Sequence, residues 1–184
     1  MRASIIIVGS ALALTACGDG ADQPKSPEEV MAAADNLVKP TPGLYRSNTE
    51  IVDFEIPGIP PAQAAQMRDL AAGLQGEEQT RCLTQAEADE GFKPVVRRLG
   101  EGAEGITCAF DRFDADGSDL DAALTCTGSD GTEAHMTIDG VVEAESSSMR
   151  MEMSQSSPAI PGGEMRMTMK VSSQRIGDCP ERGQ

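Results

Sequence analysis

The chain has no tryptophan, one tyrosine, one histidine and four phenylalanines among its 184 residues. A single imidazole cannot supply a multi-histidine metal centre. Basic residues are scarce too: 15 Lys and Arg stand against 30 Asp and Glu, a net charge of −15. Such a charge repels phosphate backbones, so no nucleic-acid partner is expected. Large apolar residues are few. Beyond residue 16 there are 27 Leu, Ile, Val and Phe, below the roughly 20% under which a highly charged chain tends to disorder. The sequence also lacks G-x-S-x-G and C-x-x-C, the local signatures of a nucleophile elbow and of a dithiol redox site. No cofactor is implied, and a non-enzyme is expected.

What is present is a leader, five cysteines and ten methionines. Residues 1–16 place Arg2 before an apolar run that ends in small residues. This reads as a secretory signal, too short to remain as a membrane span. Leu14-Thr15-Ala16-Cys17 resembles the lipobox of bacterial lipoproteins, which implies that Cys17 is acylated and becomes the first mature residue. Several acyl chains, each buried methylene contributing about 0.8 kcal/mol, hold a protein to a membrane permanently. In that resemblance an Asp directly after the Cys favours the inner membrane. Here Gly18 follows, so a periplasm-facing place on the outer membrane is expected. Residues 17–42 read as a tether with a short helix, and 43–180 as the β-rich domain. The four remaining cysteines, an even number in an oxidising compartment, read as two disulfides. These and the methionines compensate for a thin core.

Ser26-Pro27-Glu28-Glu29 is a capping box that starts a helix to about Val38, and Thr84 to Glu87 starts another. Met67, Leu70, Ala71 and Leu74 give residues 61–75 a helical stripe. Residues 43–56 read as a strand, with Val52, Phe54 and Ile56 alternating against acidic neighbours. About six antiparallel strands with two or three short helices are expected: an α+β, mainly β meander.

Two hairpins carry most of the information. Around Asp116-Gly117-Ser118, a register whose pairs sum to 234 sets Cys108 opposite Cys126 and Phe110 opposite Leu124, with one apolar and one polar face. This pairs Cys108 with Cys126 and leaves Cys82 with Cys179, although four cysteines allow three connectivities. Residues 149–157 and 165–173 agree at six of nine positions. A hairpin with pair sums of 318 sets Met149, Met151 and Met153 opposite Met169, Met167 and Met165. Asp139-Gly140 reads as another hairpin turn. Glu143 and Glu145 then share the parity of Met149, and a bulge near Ser146–Ser148 would return them to solvent.

Several motifs have a bland reading that we prefer. Gly100 to Gly105 matches G-x-G-x-x-G, but a strand follows it and Glu101 and Glu104 would repel phosphate; it reads as a loop. Asp114 to Ser118 lacks the Gly and Glu of an EF-hand at the sixth and twelfth positions, and reads as a turn. The methionine ladder suits a sheet that buries one face. Thioethers are also soft ligands. A Cu(I) or small apolar ligand on Met149, Met151, Met153, Met165, Met167 and Met169 is therefore the alternative to plain core packing.

Cys17, Pro42-Gly43-Leu44-Tyr45, Thr80-Arg81-Cys82-Leu83-Thr84, the pair Cys108 and Cys126, the Met-alternating strands and Ile176-Gly177-Asp178-Cys179 together resemble an uncharacterised proteobacterial envelope lipoprotein family, domain of unknown function 3617, over about residues 42–180. Members often carry Trp where this chain has Tyr45. The resemblance implies an exported, disulfide-bonded β-rich domain and no reaction. A non-catalytic binding or interaction module is the function expected.

Overall fold

The computed structural model describes residues 24–75, 78–102 and 105–180. The signal segment 1–16 and Cys17 lie outside the described residues. Seven strands form one antiparallel sheet: β1 (Gly43–Glu55), β2 (Gln79–Leu83), β3 (Ile106–Asp116), β4 (Asp119–Gly128), β5 (Glu133–Val142), β6 (Ser146–Ser156) and β7 (Glu164–Gly177). Their order across the sheet is β2-β1-β7-β6-β5-β4-β3. Strands β3 to β7 are thus a meander, and β1 is inserted between β7 and β2. The α+β, mainly β class expected from the sequence is the one observed.

Four helices accompany the sheet: α1 (Pro27–Ala34), α2 (Pro61–Gln75), α3 (Gln85–Glu90) and α4 (Lys93–Glu101). Both capping boxes form. The Glu29 carboxylate accepts from the Ser26 backbone N–H at 2.8 Å, and Ser26 Oγ accepts from the Glu29 N–H at 3.3 Å. Each such cap satisfies backbone donors that the first helical turn leaves open. The helix foreseen in the tether segment 17–42 is held against the sheet. The Lys25 N–H donates to the Phe110 carbonyl at 2.7 Å and the Val38 N–H to that of Gly117 at 2.9 Å. The first of these bonds occupies part of the open ladder of β3, which is an edge strand, and the second holds the turn that follows it. Val30 and Ala34 of α1 are buried in the core.

One face of the sheet, here the inner face, meets α1 and α4. Val30, Ala34 and Val96 pack there against Phe110, Phe113, Ala122, Leu124 and Ile138. A bulge between Phe110 and Arg112 brings Phe113 to the same face as Phe110. The two rings meet edge to face at 5.5 Å. A second bulge between Ile51 and Asp53 does the same in β1: Ile51 and Phe54 turn inward, and Val52 is 44% exposed. The sequence alternation that placed Val52 with Phe54 and Ile56 is corrected by that extra residue.

Both disulfides form as the spacing indicated, Cys108–Cys126 and Cys82–Cys179, with Cα separations of 4.0 and 5.4 Å. The β3–β4 register follows the 234 sum from Ile106 to Phe110 and then shifts at the bulge. Three readings need correction. The β6–β7 pairs sum to 320, so Met149 faces Val171, Met151 faces Met169, Met153 faces Met167 and Met165 faces Gln155. The hairpin loop, residues 157–163, is centred on Ile160 and not on Ala159, which imposes the two-residue offset without changing faces. Asp139-Gly140 is no turn, because β5 runs through it to Val142 and Glu143–Glu145 make the connection to β6. Gly140 instead permits close approach: a Cβ there would lie 2.3 Å from the Ser148 carbonyl oxygen and 2.8 Å from Met149 Cα. Glu143 and Glu145 are exposed in that connection, so no bulge has to turn them outward. Gly100 and Glu101 lie in the last turn of α4 and Gly102 caps it at φ +67°, so the start of the G-x-G-x-x-G stretch is helical and not a loop.

Candidate functional site

The methionine ladder lies on the inner face, where the core thins out. Across the sheet, Met136, Met153, Met167 and Phe54 form one row, and Ile138, Met151, Met169 and Ile51 the next. Directly opposed residues hold their Cβ atoms about 4.5–5.5 Å apart, within side-chain contact. Met136, Met149 and Met151 pack against the core cluster. Met153, Met165, Met167 and Met169 are half-buried and stand outside that cluster, Met153 at its margin near α4 and the other three on β7. The ladder foreseen as one set is therefore divided: its β6 beginning is core, and its β7 half is a partly open apolar face.

Two clefts open beside this face. One, of about 320 Å³, has its floor on Leu124, Met136, Met153 and the Cys108–Cys126 bridge, with Arg98, Leu99 and Gly102 of α4 along its wall. Its lining is almost wholly apolar. The other, of about 340 Å³, lies between α3, the start of α4 and the sheet, and is mixed: Leu83, Phe92 and Pro94 line it beside Tyr45, Arg81 and Glu87. Tyr45 anchors that wall, its hydroxyl donating to the carbonyls of Thr41 at 2.7 Å and Ala144 at 3.1 Å. Burial raises the Tyr45 hydroxyl above its ordinary pKa, so it stays a donor at neutral pH. Ser47 and Ser173 join across β1 and β7 at 3.1 Å.

Glu87 is held in its charged form by the residues around it. The Thr84 backbone N–H, then the Thr84 hydroxyl and the Arg81 guanidinium, hold its carboxyl down at about 2, against an ordinary 4.5. A lowered folded-state pKa gives stability that is present above pH 4.5 and lost as pH falls towards 2. Glu87→Gln is expected to lower the melting temperature at pH 7, and its deficit against the native chain should shrink steadily between pH 5 and pH 2. A constant deficit across that range in a series of melting curves would contradict the assignment.

His135 lies on the opposite, solvated face. Its Nδ1 is 3.1 Å from the Thr125 hydroxyl oxygen and its Nε2 3.1 Å from Glu133 Oε1. The order hydroxyl, imidazole, carboxylate matches a hydrolytic triad in outline. Yet Thr125 gives its one proton to Asp111 at 2.7 Å, and the His135 and Glu133 side chains are 58% and 55% exposed. They stand open to solvent, whereas a triad works beside a shielded position for the reacting carbonyl. The Asp114–Ser118 stretch is a two-residue turn closed by the Asp116–Asp119 pair, with Gly117 at φ +60°. Among the described residues no group of three or more His, Cys, Asp or Glu could hold a metal ion, and no described helix is long and apolar enough to cross a membrane.

The β-domain with its two bridges and Met-bearing strands can be compared with known families. A family model described as "Protein of unknown function (DUF3617)" matches residues 40–179. The chain belongs to the DUF3617 family. No curated protein and no solved structure is matched. The DUF3617 span takes in all seven strands and both disulfides and leaves α1 ahead of it. In this DUF3617 chain the residue that sequence reasoning passed over is Arg98. It carries no motif, and only the lie of α4 over the sheet brings it beside the apolar cleft. The available signal was the Pro94-Val95-Val96-Arg97-Arg98-Leu99 run, whose apolar and basic residues segregate at helical spacing.

Proposed function

We propose that this DUF3617 chain is a proteobacterial envelope lipoprotein, held by an acylated Cys17, facing the periplasm from the outer membrane, with a domain that binds a ligand or partner and catalyses no reaction. The observation that carries the binding reading is the half-open apolar face of Met153, Met165 and Met167, beyond the reach of the core. Apolar area left in contact with water is worth about 25 cal/mol per Å² to whatever covers it, and thioethers adapt to varied shapes. The leader before Cys17 and the two bridges support export into an oxidising compartment.

Two measurements test this. Radiolabelled palmitate fed to expressing cells should label the chain, and Cys17→Ser should abolish the label; an unlabelled native chain would remove the anchor. The neutral apolar dye N-phenyl-1-naphthylamine should bind the full chain saturably, with affinity reduced about tenfold in Met153→Gln/Met167→Gln, since two buried apolar contacts turn polar. Absence of saturable binding would count against the face.

A second reading rests on the stacked cross-strand pairs Met151–Met169 and Met153–Met167, an arrangement of soft donors suited to Cu(I). It predicts competition with a Cu(I) chelator that is lost in Met153→Leu/Met167→Leu, while dye binding persists. Equal chelator titrations with and without protein would dismiss it.

A further inference from the structure

We propose that the apolar cleft beneath α4 binds the alkyl chain of a long-chain carboxylate, a fatty acid, with Arg98 receiving the head group. This rests on the reading of the inner face as a ligand surface and adds the chemistry of its ligand. Arg98 and Leu99, in the last turn of α4, stand against a floor of Leu124, Met136 and Met153. Met153 also faces Met167 across β6 and β7, so the cleft adjoins the half-open Met face there, with Gln155 and Thr132 as the polar residues of its lining besides Arg98. At about 320 Å³ it falls at the low end of the roughly 300–1,000 Å³ typical of small-molecule sites. A slender tail that continues along the face suits it better than a compact ring system.

The charge pattern selects the head group. Acidic residues outnumber basic ones two to one, and Arg81, Arg112, Arg150, Arg166 and Arg175 are each paired with a carboxylate. Arg98 meets no carboxylate among the described residues, despite that excess. A cation in the last helical turn is favoured by the helix dipole, which accounts for a charge at that position but not for its place at the rim of an apolar cleft. A guanidinium offers a carboxylate two parallel N–H donors, and such a bond strengthens beside apolar surface where water is partly excluded. The overall charge of −15 opposes an anion at long range, but screening confines that opposition to about 8 Å in physiological salt. Arg97 is the internal control: it too is exposed and meets no carboxylate among the described residues, but it is absent from the cleft wall.

The test titrates the full chain with hexadecanoate and with hexadecanol, which share a tail and differ in charge. Hexadecanoate should bind at least tenfold more tightly. Arg98→Gln should bring the two to parity, and Arg97→Gln should leave the preference intact. Both arginines are exposed, so unchanged melting curves will show that the variants fold. Equal binding of acid and alcohol by the native chain, or equal losses in both arginine variants, would overturn the carboxylate assignment while leaving an apolar ligand surface in place. Failure of both probes to bind would overturn the carboxylate assignment and the apolar ligand surface together.

Discussion

Replacing Cys82 and Cys179 together by alanine is expected to lower the stability of the domain by about 4–5 kcal/mol, the chain-entropy value for a closed loop of about 100 residues. The bridge spans 97 residues of sequence. It joins the end of the edge strand β2 to the segment that follows β7, and these two strands flank β1. Without it, β2, whose five residues are largely exposed, keeps only its ladder to β1. In a domain of this size each kcal/mol shifts the melting point by roughly 2–4 °C, so a fall of roughly 10–15 °C is expected. The paired variant Cys108→Ala/Cys126→Ala opens a loop of only 18 residues and should lose about 3 kcal/mol. Thermal unfolding followed by circular dichroism ranks the two. A larger loss from the shorter bridge would contradict the loop-length account.

The second large effect is expected at Phe113. Its ring is 4% exposed and meets Phe110 edge to face at 5.5 Å. Truncating a buried Phe to Ala removes its transfer energy and leaves a cavity, together about 3–5 kcal/mol. The loss weighs heavily here because the core has few large members: among the described buried residues only Tyr45, Phe110 and Phe113 are aromatic. Urea denaturation of Phe113→Ala should show a loss of that size, and Val52→Thr, at a position 44% exposed, a change within about 0.5 kcal/mol. Comparable losses at the two positions would mean that the bulges at Val52 and Asp111 are misplaced.

How much of this was legible in the sequence depends on the range of the forces involved. Both capping boxes and the Gly117-Ser118 turn are local, and each was readable from a few residues. Cross-strand parity was readable where chemistry marked it, at Cys108 and Cys126. The β6–β7 register was not: with Met at every second position, a slip of two residues still opposes methionines to one another, and only the geometry of the 157–163 loop chooses between slips. Strand β2 is short and polar, and becomes a strand because β1 offers it an edge. The path of β5 through Gly140 depends on how near Ser148 and Met149 come, which no local pattern encodes. The same division holds for the candidate site. The Met face shows in the sequence as period-two repetition, whereas the Arg98 cleft exists only once α4 lies across strands distant in sequence.

The insertion of β1 between β7 and β2 has a consequence for biogenesis. A polypeptide delivered amino end first presents Gly43–Glu55 long before Glu164–Gly177, the partner that fills its other side. Until that segment arrives, the nascent molecule can build only a β1–β2 pair and a separate β3–β6 ribbon, with unsatisfied borders on β1 and β6 and thioethers facing water. Such half-finished sheets recruit one another readily. Completion of the sheet therefore waits on its carboxyl-terminal stretch, and a holding chaperone would act on the open margins of β1 and β6 rather than on the completed surface.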